Sequence, residues 1–155
     1  MNAEFINPFL KAMINILATM ADMKCTPGKA YLKKSTSPGG QVTGIIGMAS
    51  EQVKGSFAIT FSEPVILDIT ERMLGEAITT IDATVTDMVG EITNMATGGA
   101  KAQLAEKGYD FNMATPVVVS GEGHKIEHSS NGPIIVVPFT TDAGDFFIEI
   151  SFITV

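Results

Sequence analysis

The stretch Asp87-Met-Val-Gly-Glu91-Ile-Thr-Asn94-Met-Ala-Thr-Gly98-Gly99-Ala-Lys101 decides how this chain is read. Val85, Met88, Val89, Ile92, Met95 and Ala96 recur at the i, i+3, i+4, i+7 spacing of a helix with one core-facing stripe. The pattern predicts a long helix from about Thr84 to Lys107, with Gly108 as its stop. At about 100° per residue, Asp87, Glu91, Asn94 and Gly98 cluster within roughly 60° on the other side. Such a strip is costly. Gly90, Gly98 and Gly99 each lose about 1 kcal/mol against alanine, and Thr93, Asn94 and Thr97 several tenths each. The sum, on the order of 4–5 kcal/mol, is comparable to a domain's whole stability. A merely solvated face would carry Lys, Glu and Ala instead. Two readings survive: the glycines let another helix or strand pack closely, or a partner docks along the strip and approaches the backbone.

Outward from that helix, the period changes. Asn7-Pro8 reads as a helix start, and Phe9, Met13, Ile16, Leu17 and Met20 keep helical spacing until Thr26-Pro27-Gly28 stops them. Tyr31 and Leu32 open a short segment, and Ser35 to Gly40 reads as a turn. Val42, Gly44, Ile46 and Met48 then alternate, as do Phe57, Ile59 and Phe61. Ser62-Glu63-Pro64 restarts a helix that faces inward with Val65, Ile66, Ile69, Met73 and Leu74 and ends at Gly75. The last third is strand: 116–120, 134–139 and 146–153, with a polar loop over 121–132. Pro138 cannot donate to a ladder, so its strand should have an edge or bulge there. The order helix, strands, helix, helix, strands is that of an α+β fold, with helices packed on an antiparallel sheet and one domain over 1–155. Each half places a helix before three strand-like segments, which suggests an internal pseudo-repeat.

Composition removes several function classes. Hydrophobic residues make up 45% and charged ones 17%, which excludes a disordered chain. Ten Lys+Arg against seventeen Asp+Glu leave a net charge of −7, so no nucleic-acid footprint is present. Arg72 is the only arginine, and no phosphate-binding glycine loop of the G-x-x-x-x-G-K-[ST] type occurs. Cys25 is the only cysteine, which rules out an intrachain disulfide and reads as a small buried hydrophobe. No apolar run approaches the ~18 residues of a membrane span, and Glu4, Lys11 and Asn15 spoil a leader peptide. A cytoplasmic protein is expected, with no membrane partner.

Asp87-x3-Glu91-x2-Asn94, followed after twenty-one residues by Pro116, resembles the signature of the chemotaxis phosphatases CheC and CheX. The resemblance extends over nearly the whole chain, through Phe5 to Met20, Pro64 to Gly75 and the closing strands. CheC carries two Glu-x-x-Asn sets and CheX one. Here Ala12 stands three before Asn15 in the first helix, so the chain looks closer to CheX. The resemblance implies a CheC-like fold and hydrolysis of the aspartyl phosphate on a phosphorylated CheY-like response regulator. It also implies no cofactor of the chain's own, because the regulator brings Mg²⁺, a lysine and the acyl phosphate.

The missing step is a water in line with the phosphorus. Asn94 suits it, since a neutral amide both donates and accepts without adding negative charge. Glu91, one turn away, suits docking against the partner's lysine, so Glu91 and Asn94 are the candidate catalytic pair. Asp87, Gly98 and Lys101 are candidate partner-binding residues, although Asp87 equally fits a helix N-terminal role below Thr84. The alternative is a non-catalytic module that binds a regulator or switch protein on the same fold. His124 and His128, near Glu122 and Glu127, lack the third ligand and the helix that a metal site needs. Ser120, Ser129 and Ser130 near them complete no hydrolase set. Finally, the strand ending at Val155 alternates strongly and carries no lysine or proline. That pattern predicts an open edge closed by a homodimer, and the resemblance to CheX implies the same.

Overall fold

The computed structural model describes residues 3–34, 40–128 and 132–155. Helix α1 covers Ala3–Met20 and therefore starts before Asn7, with Pro8 inside it. Phe5 explains the extra turn. Its ring lies 4.9 Å from Tyr109 and 5.7 Å from Phe152, so winding the chain here buries an aromatic at the cost of one backbone bond. The helix also ends earlier than Thr26. Ala21 and Met23 both donate backbone N–H to Leu17 O, and Asp22 turns the chain at φ 48°.

Helix α2, Glu63–Leu74, follows Ser62 and ends at Gly75 in the left-handed conformation, φ 74°. Helix α3, Ala83–Ala105, is capped by Asp82, whose carboxylate accepts from Val85 N–H at 3.2 Å. Asp87 thus sits in the second turn and caps nothing. The helix stops two residues short of Lys107, before Gly108 at φ 93°.

The strands are β1 Thr26–Pro27, β2 Tyr31–Leu32, β3 Val42–Ala49, β4 Val53–Phe61, β5 Asn112–Met113, β6 Val117–Ser120, β7 Ile135–Thr141 and β8 Gly144–Thr154. They form one antiparallel sheet in the order β1-β7-β8-β4-β3-β5, with β2 beside β1 on β7 and β6 beside β5 on β3. The order is palindromic. Exchanging the first-half strands for their second-half counterparts returns the same sheet, with the β4–β8 pair at its centre. The duplication suggested by the element order is therefore present in the topology, although the residues of the halves match poorly.

That arrangement corrects one expectation. Strand β8 is not an edge: β4 pairs with it on one side and β7 on the other. Its alternating apolar residues reflect a central strand, which looks the same in sequence as an unprotected edge. Pro138 does fall where an edge is broken. Its carbonyl accepts from Gly28 N–H at 2.7 Å, so its missing N–H points the same way, toward the gap between β1 and β2. The turn expected over Ser35 to Gly40 lies, at 35–39, outside the described residues.

The helices cover one face of the sheet, where Phe57, Ile59, Phe61, Phe146, Ile148 and Ile150 are buried. Phe9 stacks on Phe57 at 4.5 Å and Phe139 on Phe146 at 4.7 Å. Cys25 is buried as expected, and burial pushes its thiol pKa up to about 11.

Candidate functional site

Helix α3 lies on β3, and its sheet-facing side includes Val89, Ile92, Thr93, Ala96 and Thr97, all fully buried. Buried threonines in a helix need partners for their hydroxyls. Thr93 Oγ1 donates to Val89 O and Thr97 Oγ1 to Thr93 O, each at 2.7 Å. In the sequence both residues stand out only as helix-propensity costs. Their signal was the i, i+4 row that runs from Val89 through Thr93 to Thr97, off the polar strip.

The glycines divide between the two readings. A Cβ on Gly99 would stand 3.1 Å from Ala12 Cβ of α1, so Gly99 serves a close helix crossing. A Cβ on Gly90 would make an ordinary contact with Val118 on β6. A Cβ on Gly98 would meet nothing within 4 Å beyond its own helix backbone, so nothing among the described residues requires a glycine there. Gln103 Nε2 donates to Pro8 O at 3.4 Å, which together with Gly99 on Ala12 makes α1 and α3 antiparallel. Ala12, at 5% exposure, occupies that crossing. A glutamate there would enter the contact between helices.

The strip emerges intact. Asp87, Glu91, Asn94 and Gly98 are all exposed, and Lys101 is half-buried at its C-terminal end. Glu91 lies on the side toward α1 and Asn94 on the side toward β6, about 4.5 Å apart along the axis. Among the described residues nothing hydrogen-bonds or ion-pairs with the side chains of Asp87, Glu91 or Asn94. The chain's one arginine is committed elsewhere. Arg72 Nε pairs with Asp68 at 3.2 Å and its Nη1 donates to Asp22 O at 2.8 Å.

The other face of the sheet holds a second polar cluster, assembled from five separate segments of the chain. Lys33 Nζ meets Glu149 Oε1 at 2.8 Å, and His128 Nε2 bonds the same oxygen at 3.0 Å. His128 Nδ1 lies 2.6 Å from Ser56 Oγ, and His124 Nε2 lies 2.7 Å from Thr43 Oγ1, which also bonds Thr60. The polar loop after β6 is thus tied across the back of the sheet. Burial pushes the Glu149 carboxyl up, but hydrogen bonds and charge from His128 and Lys33 outweigh it and hold the group below the ordinary carboxylate value. Ser120 takes no part in this cluster, and Ser129 and Ser130 lie outside the described residues. Ser56–His128–Glu149 has the composition of a hydrolytic triad, but Ser56 is 1% exposed, so no substrate reaches it. Among the described residues no group of three or more His, Cys, Asp or Glu is placed to hold a metal ion. No helix among them is long and apolar enough to cross a membrane.

A family model described as chemotaxis phosphatase CheX matches residues 42–140, from β3 through most of β7. The chain is 54% identical to a CheC-like superfamily protein from Shewanella sp. PV-4, with 99% of each chain covered and a TM-score of 0.92. It is 53% identical to the chemotaxis protein CheX of Vibrio vulnificus, with 97% of this chain and 100% of that one covered and a TM-score of 0.91. A chain of the CheX–CheY–BeF3–Mg²⁺ complex from Borrelia burgdorferi is 26% identical, with 96% of this chain and 97% of that one covered and a TM-score of 0.81. No curated protein matches the sequence.

Proposed function

The chain belongs to the CheX chemotaxis phosphatase family, and from that premise we propose that it hydrolyses the aspartyl phosphate of a CheY-like response regulator, with α3 inserted against the partner's phosphoryl site. The observation that carries this reading is the strip on α3, exposed over its length with its carboxylates and amide unpartnered within the described residues. Gly98, with open space around it, leaves the helix backbone approachable at the strip's C-terminal end.

In the reaction a water attacks the phosphorus in line, the bond from phosphorus to the aspartyl oxygen breaks, and inorganic phosphate leaves. Asn94 orients the water: its Oδ1 accepts from the water and its Nδ2 can donate to a phosphoryl oxygen. Glu91 pairs with the partner's lysine, and Asp87 and Lys101 extend the docked edge. Transition-state charge needs cations, and the strip itself carries only one, half-buried Lys101 at its C-terminal end. The regulator's Mg²⁺ and lysine fill that need, and the CheX–CheY complex that contains BeF3, a tetrahedral phosphoryl mimic, together with Mg²⁺ supports the assignment. No cofactor of the chain's own is required.

A homodimer also belongs to this proposal, now through a different edge. Among the described residues strand β6 pairs only with β3, and Val117 on it is 59% exposed. Its open side offers backbone groups to a second copy. Sedimentation equilibrium at micromolar concentration checks this, and a single species near 16 kDa sinks it.

The functional test is the lifetime of the phosphoryl group on a phosphorylated CheY-like regulator with Mg²⁺ present. A shortened lifetime that depends on this protein is expected. Binding to the regulator with an unchanged lifetime would make the chain a binding module instead.

A further inference from the structure

We propose that Gly44 is a positioning residue for the site: the missing side chain on β3 sets the depth at which α3 sits and so where Glu91 and Asn94 stand. This inference rests on the phosphatase reading only for its kinetic part.

Gly44 lies on the helix-covered face of the sheet, directly beneath α3. A Cβ there would overlap Thr93 Oγ1 and come within 3.2 Å of Thr93 Cβ and 3.1 Å of Val89 Cγ1. Distances this short force something to move. The threonine hydroxyl cannot easily turn away, because it is buried and already donates to Val89 O.

The sheet cannot retreat either. On its two edges β3 is paired with β4 and with β6. From behind, the neighbouring Thr43 is tied to Thr60 and to His124, both at 2.7 Å. The helix must therefore give. Its C-terminal half is pinned where Gly99 meets Ala12 and Gln103 reaches Pro8 O. The displacement therefore falls on the half that holds Glu91, Thr93 and Asn94, whose outer side is exposed. Thr93 is the residue immediately before Asn94, so a shift at the seat is passed on almost undiminished.

A misplacement of about 1 Å far from the reacting atoms can cost on the order of 10²-fold in rate. Docking, spread over a surface, should suffer less. Gly44→Ala is accordingly expected to lower kcat on phosphorylated regulator by about 10²-fold while KM changes by about threefold or less. Gly44→Ala/Thr93→Ala removes the overlapping hydroxyl and should recover turnover to within about tenfold of the parent. In the free protein, the side-chain amide NMR signals of Asn94 should move in Gly44→Ala and return in the double variant. A kcat within threefold of the parent, or Asn94 signals that stay in place, overturns the proposal. If Gly44→Ala fails to fold, the double variant decides alone, and turnover as low as that of Asn94→Ala overturns it. If the parent dephosphorylates no regulator, the functional reading falls, and the Asn94 signals still decide the role of Gly44.

Discussion

Glu91 and Glu149 are both acids amid apolar residues, and the fold treats them in opposite ways. Glu149 is buried on the back of the sheet, with Lys33 and His128 on one of its oxygens. Glu91 stands exposed on α3 with nothing among the described residues to neutralise it. The difference teaches where to look for work done on another molecule. A charge balanced within the chain serves the fold, whereas a charge held on a rigid, well-backed helix without a partner is available to something else.

The strongest way to break the comparison is to remove each acid in turn. Glu149→Ala leaves the Lys33 ammonium buried and unpaired, which should cost about 3–5 kcal/mol and lower Tm by on the order of 10 °C. Glu91→Ala should stay within about 0.5 kcal/mol of the parent. Thermal unfolding followed by circular dichroism checks both, and equal losses would dissolve the distinction.

The pH dependence sharpens it. A carboxyl held low in the folded state stabilises the protein above its unfolded value. That stability is lost as pH falls through the folded value. Below about pH 4.5, the unperturbed carboxylate range, the parent should therefore weaken more steeply than Glu149→Gln, as denaturant midpoints across pH would show.

On the other face, Asn94→Ala should cut turnover by on the order of 10²-fold or more. Its stability should be unchanged or raised by several tenths of a kcal/mol, because alanine is the better helix former. Near-parental turnover in steady-state phosphate release would remove Asn94 from the chemistry. The smallest effect expected is on docking. Glu91→Ala should weaken regulator binding by about tenfold or less, and Glu91→Lys should weaken it more because like charges meet. Calorimetric titration with the regulator reads both, and unchanged affinity in Glu91→Lys would take Glu91 out of the interface.

Much of the architecture was legible because periodicity is local. The helix of α2 between Ser62 and Gly75, the strand pair 42–49 and 53–61, and the polar strip on α3 all follow from spacing and punctuation. Helix ends were less legible. The start of α1 depends on Phe5 meeting Tyr109 and Phe152, more than a hundred residues away. The cap of α3 at Asp82 is a local feature, but Thr84 two residues later is a cap-forming residue as well.

By itself the sequence determined which residues α3 turns outward, since a helix of known period with one apolar stripe has only one side left for Asp87, Glu91, Asn94 and Gly98. Only the tertiary structure decided what the remaining residues are for. Gly98 and Gly99 are identical neighbours in the chain, yet one is pressed against Ala12 and the other faces open space. The strand that looked like a bare edge is central, because β4 and β7 reach it from separate parts of the chain. Lys33, Ser56, His128 and Glu149 carry no common pattern, and they meet only because the antiparallel register brings their segments together. Pairing and burial are properties of neighbours in space, and short-range spacing holds no information about neighbours that arrive from elsewhere in the chain.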